Sequence, residues 1–219
     1  MKFTIKEVKP KIFLFECDNS YDLAMTFLRY QETYESPNPK FRNKPFTIID
    51  FMEWYSKTQG LKNHGVEGFS YPLDWAGFNF PSFIIDKLLN DIGITDRNKY
   101  DDFILESYNM IKNKYYYDDN FYIIGATAGN EKTIKHEIAH GFFYTNPEYK
   151  KEMKKLVKAL PADKIEKFNT HLASVGYTKQ VFVDEIQAYL STGVSNSMKQ
   201  EMNGLTKPFI DTFNKYNKN

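Results

Sequence analysis

Two histidines four residues apart flank a glutamate in His136-Glu137-Ile138-Ala139-His140, the grouping in this 219-residue chain best suited to chemistry. On an α-helix, positions i and i+4 project from one face, so both imidazoles can offer a ring nitrogen to one metal ion while Glu137 stands beside them. Zinc takes imidazole and carboxylate ligands in a tetrahedral array, and a catalytic zinc keeps three protein ligands so that water fills the fourth position. The ion acidifies that water. Glu137 is then placed as general base, taking a proton as the water attacks a carbonyl and later passing it to the leaving nitrogen. The expected chemistry is hydrolysis of an amide bond.

A third ligand has to come from elsewhere in the chain. Glu185, within Val183-Asp184-Glu185-Ile186-Gln187-Ala188-Tyr189, is the leading candidate. A helix there puts Glu185, Ala188 and Tyr189 on one face, and the small Ala188 allows close approach to the histidine helix. His171 and Asp184 are the other candidates, although Asp184 is equally suited to orient a ligand histidine through its second ring nitrogen.

His-Glu-x-x-His followed by a downstream helix with Glu-x-x-Ala resembles the zincin metallopeptidases of the gluzincin type. The spacing from His140 to Glu185, 185 − 140 = 45 residues, is similar to that in the catalytic domain of the anthrax lethal factor group. The resemblance covers these two short segments, and residues 1–115 do not enter it. It implies a zincin-like α+β fold, predominantly helical with a small sheet, with Zn2+ as cofactor and a peptide or protein as substrate. It also implies a Tyr or His that hydrogen-bonds the developing oxyanion. Tyr177, eight residues before Glu185 and behind Gly176, is the choice for that role, with His171, Tyr144 and Tyr189 as rivals. The run Gly-Phe-Phe-Tyr-Thr-Asn after His140 lacks the further histidine of the metzincins. Two rival readings stand beside the peptidase: a binding protein on the same scaffold, and a metal-dependent hydrolase of a non-peptide amide.

Elements must hold these residues in place. A strand is expected over residues 11–17, then a helix from Tyr21 to Tyr34 capped by Ser20, and another from Thr47 to Trp54 closed by Gly60. The glycine- and proline-rich stretch from Gly65 to Pro81 reads as a long ordered loop or two short strands. Helices fit Ser82 to Asp91 and Asp101 to Lys114. Phe121-Tyr122-Ile123-Ile124 reads as a strand with an edge open to an added substrate strand, and Gly125, Gly129 and Asn130 as the turn into the histidine helix. Asn146-Pro147 opens the next helix, and others fit Ala162 to Ala173, Gln180 to Ser191 and Leu205 to Tyr216. Residues 1–115 are expected to form an N-terminal lobe over the cleft, and 116–219 the catalytic lobe.

Composition narrows the partners. Twenty-nine basic against 28 acidic residues leave a charge of +1, too little to recruit nucleic acid or an acidic membrane at long range. The single cysteine, Cys17, sits in an apolar run and is expected to be a buried, inert thiol. No stretch has the length of a signal-peptide core or a membrane span, so the expected compartment is the cytoplasm. The aromatic region around Arg42, Trp54, Tyr71 and Trp75 is expected mainly to pack a core, with a substrate groove as the rival reading.

Overall fold

The computed structural model describes residues 1–115 and 120–218. Its sheet has four strands, β1 (Phe3–Lys9), β2 (Ile12–Cys17), β3 (Gly77–Pro81) and β4 (Tyr122–Thr127), in the order β1-β2-β4-β3. β2 runs antiparallel to β1 and parallel to β4, and β3 runs antiparallel to β4. The two central strands are apolar at nearly every position because both faces of the sheet are covered. Phe13, Phe15, Cys17 and Ile123 enter one core, while Ile12, Leu14, Tyr122, Ile124 and Ala126 enter the other.

Eight helices of eight or more residues cover these faces among the described residues. The first core receives α1 (Ser20–Glu35), α2 (Ile48–Tyr55) and α3 (Lys99–Tyr115) through Phe27, Leu28, Phe51, Ile104 and Ile111. The second receives α4 (Glu131–Thr145), α5 (Pro147–Lys158), α6 (Ala162–Ser174), α7 (Phe182–Thr192) and α8 (Lys207–Asn217). The fold is thus mixed α and β, dominated by helices around a small sheet. That sheet joins the two stretches of chain expected as lobes: β1, β2 and β3 come from residues 1–115, and β4 from residues 116–219. Among the described residues no helix is long and apolar enough to cross a membrane. Cys17 is buried and free.

Several local expectations need correction. Asn19, not Ser20, caps α1, its Oδ1 accepting from the Asp22 amide at 2.8 Å. Gly60 does not end the helix begun at Ile48. The chain stays helical through a wider turn to His64, and Gly65, at φ 75°, supplies the left-handed stop. Gly60 serves close approach instead, since a Cβ there would lie 2.1 Å from the Gly68 carbonyl oxygen. Gly125 lies inside β4 and is not part of a turn. β4 is paired on both sides, so it offers no edge to a substrate strand; the edges belong to β1 and β3. β1, unread in the sequence, is a charged and only half-buried edge strand.

Candidate metal centre

Two helices of the second core bring the ligand candidates together. Helix α4 leaves β4 through Asn130, whose side chain caps it by accepting from the Thr133 amide at 3.2 Å. Helix α7 packs on α4, with Ala139 and Ala188 both fully buried and Gln187 Nε2 donating to the Ala139 carbonyl at 3.3 Å. The result is that His136, His140 and Glu185 each aim a donor atom at one point, all within 4.8 Å of one another.

The hydrogen bonds behind the imidazoles decide which nitrogens are free. The Thr192 hydroxyl donates to the Ala188 carbonyl at 2.7 Å, so its oxygen is left to accept from His136 Nδ1 at 3.2 Å. His140 Nδ1 lies 3.0 Å from Asp184 Oδ1, a carboxylate oxygen that accepts a hydrogen bond from Nδ1–H. Both Nδ1 atoms therefore carry hydrogen, and in the neutral rings both Nε2 lone pairs are bare. These two nitrogens face each other at 3.2 Å. Two lone pairs at that distance repel unless a proton or a cation lies between them. Tetrahedral zinc with Zn–N bonds of about 2.0–2.1 Å would hold its nitrogens about 3.3 Å apart.

Glu185 completes the group, with Oε1 3.6 Å from His140 Nε2 and Oε2 3.9 Å from His136 Nε2. Its Oε2 is buried and accepts no hydrogen bond, an unmet acceptor of the kind a cation satisfies. The donor set, two imidazole nitrogens and one carboxylate with an unsatisfied oxygen, fits zinc.

Burial sets the electrostatics. It pushes Glu185 up to about 8, against the attraction of His140. It pushes His136 well below the usual imidazole range, helped by the charge of His140. For His140 burial also works against the charge, but Asp184 and Glu185 outweigh it and raise the ring well above its ordinary value.

Glu137 reaches the sheet while also lining the cavity. Its Oε2 accepts from Asn79 Nδ2 on β3 at 2.8 Å, and the Tyr122 hydroxyl donates to Asn79 Oδ1 at 2.5 Å, which fixes the amide orientation. Burial raises the carboxyl above its usual range. The strand lies so close that a Cβ at Gly77 would stand 2.2 Å from Glu137 Oε1. At the outer edge of β3 the Asn79 amide donates to Gln31 Oε1 at 3.0 Å.

Tyr177 and Tyr189 stand beside Glu185. Tyr189 also packs its ring 4.6 Å from that of His136, and Tyr177 packs edge-on against Trp75 at 5.7 Å. Of the other candidates, His171 lies outside the ligand group and sits 3.5 Å from the Ser195 hydroxyl. His64 pairs with Asp74 at 2.8 Å.

A cavity of about 570 Å³ opens at this centre, reached by His136, Glu137, Tyr177 and Tyr189. Trp54, Tyr55 and Trp75 line it as well, whereas Tyr71 is fully buried and Arg42 lies outside the cavity. No family model matches this chain, nor does any curated protein or solved structure. The geometry therefore carries the functional argument alone.

Sequence reasoning missed Asn79, Thr192 and the α1 residues of the cavity. Asn79 sits in Gly77-Phe78-Asn79-Phe80-Pro81, where one polar residue interrupts buried aromatics, and that was the available signal. A threonine seven residues beyond Glu185 carries none.

Proposed function

We propose that this chain is a zinc-dependent metallopeptidase of zincin type, with His136, His140 and Glu185 as metal ligands. The observation that supports it most is the convergence of the His136 and His140 Nε2 atoms, 3.2 Å apart, beside an unsatisfied Glu185 oxygen. Zinc bound there would acidify a water molecule and polarise a carbonyl.

The chain's own residues supply the rest. Glu137, buried and held by Asn79, takes the proton of the attacking water and delivers it to the departing nitrogen; its raised pKa favours holding that proton between the two steps. Tyr177 donates a hydrogen bond to the oxygen on which charge develops, its burial keeping the phenol protonated. Asp184 and Thr192 hold the two ligand rings in the tautomer that leaves Nε2 free. The cavity is large enough for several side chains of a peptide.

Ligand and base are separable by experiment. Zinc content of the purified protein is expected near one ion per chain, retained in Glu137→Gln and lost in Glu185→Ala. Hydrolysis of a mixed peptide pool, followed by mass spectrometry, should fall by about 10²–10⁴ in Glu137→Gln. Full turnover in that variant would overturn the mechanism.

A further inference from the structure

The cavity continues past the histidines to helix α1, which presents Gln31, Glu32 and Glu35, while Trp54, Tyr55 and Trp75 supply aromatic surface. Glu32 is 8% exposed. Its Oε1 accepts from the buried Tyr71 hydroxyl at 2.9 Å, and its buried Oε2 accepts no hydrogen bond, with Ser36 nearby but outside bonding geometry. Glu35 accepts from Gln31 Nε2 at 3.0 Å. Among the described residues no lysine or arginine pairs with either carboxylate, although Lys132 lies elsewhere on the cavity lining.

This arrangement works against stability. A buried carboxylate without a cation is costly, and one with an empty acceptor more so. Burial accordingly raises Glu32 to about 7, and raises Glu35 well above the carboxylate range with Glu185 adding to the effect. Packing alone would be better served by glutamines or apolar residues. What such a wall stabilises is a cation: two carboxylates give charge-assisted hydrogen bonds, and neighbouring indole and phenol faces attract an ammonium or guanidinium.

We infer that the α1 wall of the cavity is a subsite for one cationic group of the substrate, an ammonium or guanidinium received by Glu32 and Glu35 beside Trp54, Tyr55 and Trp75. The inference rests on reading the cavity as the substrate cleft, and it narrows the substrate to peptides that carry a basic side chain or a free α-amino group there.

The test reads binding separately from turnover. Full-length protein carrying Glu137→Gln, chosen so that turnover does not deplete the probes, is titrated with three compounds while tryptophan fluorescence is followed. Nα-acetyl-lysine methylamide offers a side-chain amine, norleucine methylamide a free α-amine, and Nα-acetyl-norleucine methylamide no charge. At least one cationic probe is expected to bind tenfold or more tightly than the neutral one, and the better of the two identifies the source of the charge. Adding Glu32→Gln or Glu35→Gln should weaken that probe at least tenfold and leave the neutral one unchanged. Equal affinity for charged and neutral probes overturns the inference, and that comparison needs no cavity variant to fold. So does unaltered affinity in both glutamine variants, once circular dichroism shows them folded. If cation binding holds while the peptide pool stays uncut, the peptidase reading fails alone; a pool cut without regard to charge overturns the subsite alone.

Discussion

Asn79 holds Glu137 from the sheet side, and Tyr122 in turn holds Asn79, so the proposed base is oriented by two residues outside the ligand group and the cavity lining. Asn79→Ala removes that brace without touching a ligand. Zinc content should be unchanged and kcat should drop about 10- to 100-fold, the usual cost of losing an orienting partner; a rate within twofold of the parent would show that Glu137 needs no brace. Protonation of the ligands gives a second expectation. With Glu185 raised to about 8 in the metal-free protein, its carboxyl is largely protonated at pH 7, and zinc must displace that proton. His140, also raised above its ordinary value, must give up a proton as well, so apparent zinc affinity should rise with pH from 6 to 8. Competition against a chromophoric chelator checks this, and affinity flat or falling over that range would contradict it. His136 and His140 were legible in the sequence because an i, i+4 pair on a helix has one geometric consequence. Asn79 was not, because its significance depends on which strand lies beside α4.

At the scale of elements, the centre depends on how closely β3 passes α4 and on how closely α7 packs against α4. Gly77 is the contact point of the first pair, since any Cβ there collides with the Glu137 carboxylate and the Thr133 methyl group. Gly77→Ala is expected to cost about 1–3 kcal/mol by overpacking and to displace Glu137. Urea denaturation measures the first effect and the rate of peptide hydrolysis the second; a variant with parental stability and rate would mean the strand moves aside freely. The second packing uses Ala139 and Ala188, both fully buried. Most of the helices were readable from periodicity and caps, Asn146 before Pro147 among them, where Oδ1 accepts from the Glu148 and Tyr149 amides. The edge strands were harder. β1 alternates charge with modest hydrophobes, and β3 is a short aromatic run after glycine, so neither carries the long β-branched pattern of a central strand.

For the molecule as a whole, a metal held by α4 and α7 would tie two helices of the second core to each other. Zinc that binds only the folded state stabilises it by about 2.7 kcal/mol at a free concentration 100 times Kd. The melting temperature should thus rise on adding zinc and fall with a chelator, and His136→Ala should abolish the difference; an equal shift in that variant would place the ion elsewhere. The sequence by itself determined that His136, Glu137 and His140 share one helix, and most of the other helices, because these follow from spacing along one chain segment and the local physics of helix faces and caps. Tertiary structure alone decided the partners from other segments: Asn79 on Glu137, Asp184 and Thr192 behind the imidazoles, and the α1 wall of acids beside the aromatic residues of the cavity. Side-chain contacts across 45 to 58 residues of chain, such as His140 to Glu185 or Asn79 to Glu137, are set by packing of the two cores on one sheet, and no local pattern encodes them.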